Sequence, residues 1–267
     1  MDSSTTLNLE LYEPIETLVA RYETRRDEIQ AVVDAADKAG LKLRSDYLTE
    51  HRRDTWKDVL DRTQAMTYMS TTKQKDVTSL LFDTPHKLPD FTYDTLTAWL
   101  KDLMSNSPEM LTELCKEAFE ILTPQKRYEW ADGYKTNEDK REIPRSGKVI
   151  LTCLCHSPST WEKQHGAGPQ LSHYANRIMH VLDRVFSLLD GKKTPVYPHD
   201  SYSVCRAAEQ ANEREAETTY FKFKMHLNGN LHLTLKRADL VKTLVAIAAG
   251  ANLKEGEKEG KETCKSE

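Results

Sequence analysis

Cys153, Cys155 and His156 stand close together in the chain, and His165, His173 and His180 follow downstream. Thiolates and imidazoles are zinc ligands, but structural zinc sites usually place about two to four residues between paired cysteines. Here a single residue, Leu154, separates them. His173 and His180 would sit two helical turns apart, too far to chelate one ion by themselves. Cys155 and His156 also supply the residue types of a nucleophile and its base, yet neighbours along a strand point to opposite faces. The expectation is therefore buried thiols and surface imidazoles, with no metal and no cofactor. The chain has no GxSxG, no Walker loop, no GxGxxG and no HExxH, so the motif-borne routes to acyl, phosphate, dinucleotide or zinc-hydrolase chemistry are unsupported. A (D/N)PP(Y/F) tetrapeptide is likewise lacking, and Asp83-Thr84-Pro85-His86 does not qualify.

The strongest pattern lies in Tyr220 to Leu235, YFKFKMHLNGNLHLTL, where apolar and polar residues alternate on both sides of Asn228-Gly229-Asn230. Such alternation around an Asn-Gly turn predicts a β-hairpin. A three-residue Asn228-Gly229-Asn230 loop pairs Leu227 with Leu231, Met225 with Leu233 and Phe223 with Leu235, which builds one apolar face. The opposite face then carries Lys222, Lys224, His226, His232, Thr234 and Lys236, with His226 across from His232 and Arg237 close by. Lys222, Lys224, His226, His232, Lys236 and Arg237 are the candidate nucleic-acid-binding residues, since β-ribbons bearing lysines contact phosphates. Tyr220 could stack on a base. The two imidazoles could act as an acid/base pair. The plainer reading is a polar face that meets water, its lysines discouraging edge-to-edge pairing.

The elements that must hold this hairpin are mostly helical and precede it. Pro14 to Ala39 has Ile15, Leu18, Val19, Tyr22, Ile29, Val32, Val33 and Ala36 at helical spacing, with Gly40 as a stop. Thr49 to Met69 reads as a second helix opened by His51, Arg52 and Arg53, where the helix dipole favours anions. That conflict asks for a partner: Glu50, Asp54 or a bound phosphate. A helix from Lys73 to Phe82, one capped by Thr92 or Asp94, and one opened by Ser107-Pro108-Glu109 follow. Residues 125–147 are polar and turn-rich and predict a long loop or hairpin. Lys148 to Leu154 reads as a buried strand, residues 156–169 as loop, and Pro169 to Leu189 as a long helix with Leu171, Tyr174, Ile178, Leu182, Val185, Phe186 and Leu189 inward. Tyr202 to Glu215 and Ala238 to Ala249 read as further helices. The fold class is α+β: a mainly helical N-terminal half, and a C-terminal half in which a small antiparallel sheet is packed by helices. Residues 1–13 read as a flexible lead, 14–250 as one α+β domain (helical over about 14–124, mixed over about 125–250), and 251–267 as a disordered charged tail.

The chain has 267 residues, 38% of them apolar and 30% charged, with a net charge of −4. No global positive field draws it to nucleic acid, so such contact has to come from a local patch. No apolar run approaches the roughly 18–20 residues that span a bilayer, and the first residues lack a basic region followed by an apolar one. Five cysteines without framework spacing suit reduced thiols in a cytoplasm.

The segments Trp130–Asn137, Gly147–Thr152, Leu182–Phe186 leading to Leu189–Lys192, and Tyr220 through Asn228-Gly229-Asn230 to Lys236-Arg237-Ala238-Asp239-Leu240-Val241 occur here in order. This series resembles an uncharacterised domain family of phages, prophages and bacterial genomic islands, over about residues 14–250. Its members stand alone, or beside or fused to DNA adenine methyltransferase domains. The resemblance implies a setting of mobile elements and DNA modification, with no established activity or catalytic residues to carry over, and this chain lacks the methyltransferase half. The expectation is a non-enzymatic accessory protein that binds DNA, RNA or a nucleic-acid-processing enzyme. The alternatives are a module that inhibits or triggers a host defence protein, and a hydrolase or transferase built on His226, His232 and a carboxylate from elsewhere.

Overall fold

The computed structural model describes residues 13–43, 46–123, 143–144, 147–156, 158–160 and 168–249. The expected lead, the charged tail, most of the 125–147 segment and most of the 156–169 loop lie outside the described residues. The chain divides into two compact units, Met1–Leu111 and Thr112–Glu267.

The first unit is helical. Its described elements are α1 (Ile15–Lys38), α2 (Tyr47–Thr63), α3 (Ala65–Tyr68), α4 (Thr71–Phe82), a 3₁₀ turn (Pro85–Lys87) and α5 (Tyr93–Ser105). The unit boundary falls within α6 (Ser107–Leu122). Aromatic rings knit the core: Trp56 meets Phe91 edge-on at 5.2 Å and Trp99 at 5.8 Å, and Tyr22 lies 5.0 Å from Phe91. Caps follow the side-chain chemistry. Ser70 Oγ accepts from the Lys73 N–H, and Thr92 and Thr95 form a reciprocal capping box.

Two expectations for this unit need correction, and a third is met in part. Only Leu18, Val19 and Tyr22 of α1 are buried, and Val32 is 62% exposed, so the apolar spacing of the later turns is not matched by burial. The helix expected over Thr49–Met69 breaks at Gln64, which adopts a left-handed φ of 50° and turns the chain so that Ala65 is fully buried. The basic opening of α2 is also satisfied internally. Arg52 donates to Asp90 at 2.6 Å, Arg53 to Asp54 at 2.9 Å, and His51 stacks on Tyr22 at 4.8 Å while its Nε2 lies 3.2 Å from the Tyr22 carbonyl oxygen. Asp54 thus answers Arg53 as expected, while Arg52 takes Asp90, distant in sequence, in place of a phosphate.

The second unit mixes strands and helices. After β1 (Lys148–Leu151), β2 (Cys155–His156) and β3 (Gln170–Leu171) come α7 (His173–Leu189), α8 (Ser201–Gln210), β4 (Glu215–Glu217), β5 (Phe221–Met225), β6 (Leu231–Leu235) and α9 (Ala238–Ala248). Four strands form one antiparallel sheet in the order β1-β6-β5-β4, and β2 pairs with β3. Phe186 of α7 meets Phe221 edge-on at 4.8 Å, which seats that helix on the apolar side of the sheet. Asp183, buried within α7, accepts from the Ser201 N–H at 2.7 Å and the Ser201 hydroxyl at 2.6 Å, fixing the start of α8. The α+β class is as expected.

The local differences have physical causes. The strand read through Leu154 stops at Leu151, because Cys153 takes a left-handed φ of 60°; Cys153 is exposed and Cys155 buried, so the two thiols do not share a strand face. The helix expected from Pro169 starts at His173, since Gln170 and Leu171 pair with β2 instead, and Tyr174 is 74% exposed rather than inward. The helix expected through Glu215 ends at Gln210. Asn212 turns left-handed at φ 57°, and Glu215–Glu217 joins the sheet.

The hairpin forms with its faces as expected but its register shifted by two residues. Phe223 faces Leu233 and Met225 faces Leu231. His226 donates its N–H to the Asn230 carbonyl, which leaves Leu227-Asn228-Gly229 as the loop. The Asn228 side chain accepts from the Asn230 N–H, and Gly229 sits at φ 86°. A Cβ on Gly229 would lie 3.1 Å from the Cys155 carbonyl oxygen, so both conformation and space require glycine there.

Candidate binding surface

Strand alternation puts two rows of side chains, polar except for Ile150, across one side of the sheet. Lys148, Thr234, Lys222 and Glu217 make one row, and Ile150, His232, Lys224 and Glu215 the other. Between them, Val149, Leu233, Phe223 and Ala216 point to the buried side. The lysines are half-exposed on a rigid support whose reverse is core.

The sequence pattern missed β4, and β4 changes the electrostatics. Glu215 spans two lysines, with Lys224 Nζ at 2.7 Å and Lys222 Nζ at 3.0 Å. Hydrogen bonds from Lys224 and then Lys222 hold the Glu215 carboxyl down at about 2. Lys236 Nζ reaches Glu217 at 2.7 Å and the Thr218 carbonyl at 2.8 Å, and that contact lowers the Glu217 pKa. Arg237 binds Asp239 at 2.6 Å and Asp190 at 3.0 Å. Every cation of the expected stripe thus meets a carboxylate, and the face is close to neutral. Glu215-Ala216-Glu217 could have been read as alternation, but it ends an Ala- and Glu-rich run that reads as helix.

Asp190 is the more enclosed junction. Its carboxylate also takes the Tyr220 hydroxyl at 3.1 Å and Lys192 Nζ at 2.6 Å, and these donors, Lys192 foremost, lower its pKa. Tyr220 is only 4% exposed. A stacking role for Tyr220 is therefore overturned: its ring belongs to the core beside Phe186, and its hydroxyl is committed to Asp190.

His226 and His232 were expected to face each other across the hairpin. With the shifted register, His232 faces Lys224 and His226 pairs with Asn230, yet the two rings still approach to 3.8 Å between centroids. Burial first, then the neighbouring imidazole and Lys224, lower the His232 pKa. Nε2 of His226 is buried without a hydrogen-bond partner, and neither ring has a hydrogen-bonded carboxylate among the described residues. That geometry gives an acid/base pair nothing to orient it.

Burial pushes the Cys155 thiol up to about 11 and the Cys115 thiol up to about 12, and raises Cys205 as well. These thiols are protonated at neutral pH and are poor nucleophiles. Among the described residues, no group of three or more His, Cys, Asp and Glu side chains could hold a metal ion, and no helix is long and apolar enough to cross a membrane.

Residues 48–252 match the family model described as Domain of unknown function (DUF4942), and the chain belongs to that family. An uncharacterised domain covering most of the chain was the expectation from its motifs. No curated protein and no solved structure matches the chain.

Proposed function

We propose that this DUF4942 protein is a non-enzymatic binding protein that takes nucleic acid on the open face of its four-stranded sheet. The observation supporting this is the placement of Lys222, Lys224, Lys236 and Arg237 on the polar side and at the end of one hairpin whose other side is packed core. The carboxylate partners of the three lysines, on β4, are themselves about half-exposed. Exposed ion pairs add little to stability, so a lysine loses little by exchanging Glu215 for a phosphate, while nucleic acid gains counterion release. In this reading Glu215 and Glu217 set a threshold that favours a polyanion over small anions. The mobile-element and DNA-modification setting implied by the resemblance fits DNA or RNA as the partner.

The test is binding to mixed duplex DNA, single-stranded DNA and RNA across a salt series. The wild type should lose affinity steeply with salt, and Lys222→Glu, Lys224→Glu and Lys236→Glu together should abolish binding with the thermal midpoint retained. Binding that survives those substitutions, or no binding at low salt, overturns the assignment.

The alternation of Glu215 and Glu217 with the lysines favours a second reading. Mixed-sign faces suit a complementary protein surface, here a host defence or DNA-modification protein. A stable stoichiometric complex with such a protein, free of nucleic acid and lost on Glu215→Lys, would favour it over the first.

A further inference from the structure

We propose that Tyr197 is a base-stacking residue and that the polymer bound is single-stranded. This inference rests on the nucleic-acid reading of the sheet face. The chain between α7 and α8 runs Gly191-Lys192-Lys193-Thr194-Pro195-Val196-Tyr197-Pro198-His199-Asp200. Tyr197 is 82% exposed, more than any other large apolar side chain among the described residues, and Val196 beside it is 72% exposed. A ring left that open gains by covering an apolar face.

The loop is held in shape. Pro195 and Pro198 fix φ on both sides of Val196 and Tyr197, and the His199 N–H donates to the Val196 carbonyl at 2.8 Å. Its far end is anchored where Asp200 caps α8 and Ser201 binds Asp183. Its near end joins the cations of the sheet. Lys192 and Arg237 share the Asp190 carboxylate, and Arg237 directly follows Lys236. Lys193 is exposed and has no carboxylate partner among the described residues. Tyr197 lies five positions after Lys192 and four after Lys193, so the chain places it within about 17 Å of Lys192. A strand whose phosphates lie along Lys236, Arg237 and Lys193 therefore comes within reach of the ring.

The chemistry selects single strands. Bases in a duplex are already stacked and paired, whereas an unpaired base offers its face to an aromatic ring. Tyr174 supplies an internal control. It is 74% exposed, but it stands at the opposite end of α7, about 24 Å from Asp190 by helix rise.

The experiment measures affinity of the full-length protein for a labelled oligothymidylate and for duplex DNA of the same length. Tyr197→Ala should weaken single-strand binding about 5- to 150-fold and leave duplex binding unchanged. Tyr197→Phe should retain wild-type affinity, and Tyr174→Ala should do the same. Single-strand binding by Tyr197→Ala at the wild-type level overturns the proposal, as does an equal loss on duplex. If the triple lysine-to-glutamate variant loses binding while Tyr197→Ala keeps it, the stacking inference alone falls. If the wild type binds no nucleic acid at all, the reading of the sheet face falls and takes this inference with it.

Discussion

The two faces of the four-stranded sheet are made by alternate residues of the same strands, yet they hold the molecule together by different means. On one, Phe221, Phe223, Met225, Leu231 and Leu233 are at most 1% exposed, and Phe221 packs against Phe186 of α7. On the other, Lys222, Lys224, Glu215 and Glu217 keep about half their surface in water and pair across strands. The apolar face owes its strength to removal from solvent. The polar face is satisfied but weakly bound, because water and salt compete for every pair. One sheet thus carries a side that must not change and a side free to exchange partners, which is what a binding surface on a small unit requires.

Phe221→Ala should have the largest effect. It leaves a cavity beside Phe186 and Phe223 and should cost about 3–5 kcal/mol in urea unfolding; a loss below 1 kcal/mol would mean the apolar face is not the support described. Next comes Asp190→Ala, which strips the acceptor from the nearly buried Tyr220 hydroxyl and should cost about 1–3 kcal/mol.

Asp183 gives a pH signature from beneath the sheet. Burial raises its pKa to about 6 despite the hydrogen bonds from Ser201. A carboxyl with a raised folded pKa binds its proton more tightly when folded, so its contribution is present below about pH 4 and lost as pH rises through 6. Wild-type stability should fall across that window by about 3 kcal/mol relative to Asp183→Asn. Parallel curves for the two proteins would contradict this.

The smallest expected effect on stability is at Glu215→Gln. The thermal midpoint should stay in place while nucleic-acid affinity rises a few-fold, since Lys222 and Lys224 lose their shared competitor. A destabilised Glu215→Gln with unchanged binding would blur the contrast between the faces.

Much of this was legible in the chain. Alternation through Tyr220–Leu235 marks both faces of the hairpin, and helical spacing marks most of the helices. Periodicity could not give the register. A shift of two residues returns every side chain to its own face, so the choice fell to Asn228 bonding the Asn230 N–H and to Gly229 lying against Cys155. Nor could it give the electrostatics of the candidate site. Lys222, Lys224 and Lys236 are visible as a stripe, but the carboxylates that answer them come from β4, whose short Ala- and Glu-rich segment prefers helix until Asn212 turns it. The basic opening of α2 read only in part for the same reason: Asp54 answers Arg53 from next door, but Asp90 reaches Arg52 from a distant part of the chain. Charge types are local information, whereas charge partners are tertiary.

The placement of β1 against β6 has a consequence for how the molecule assembles. β5 and β6 are joined by a tight turn and can pair within about 1–10 μs. β1 reaches β6 only across residues 152–230, a closure whose entropic cost is met only when the template strand already exists. In refolding, β6 therefore waits with one side of its backbone unpaired while β1 searches. During that interval a β1 strand from a second molecule is chemically equivalent to its own, and strand exchange between chains competes with folding as concentration rises.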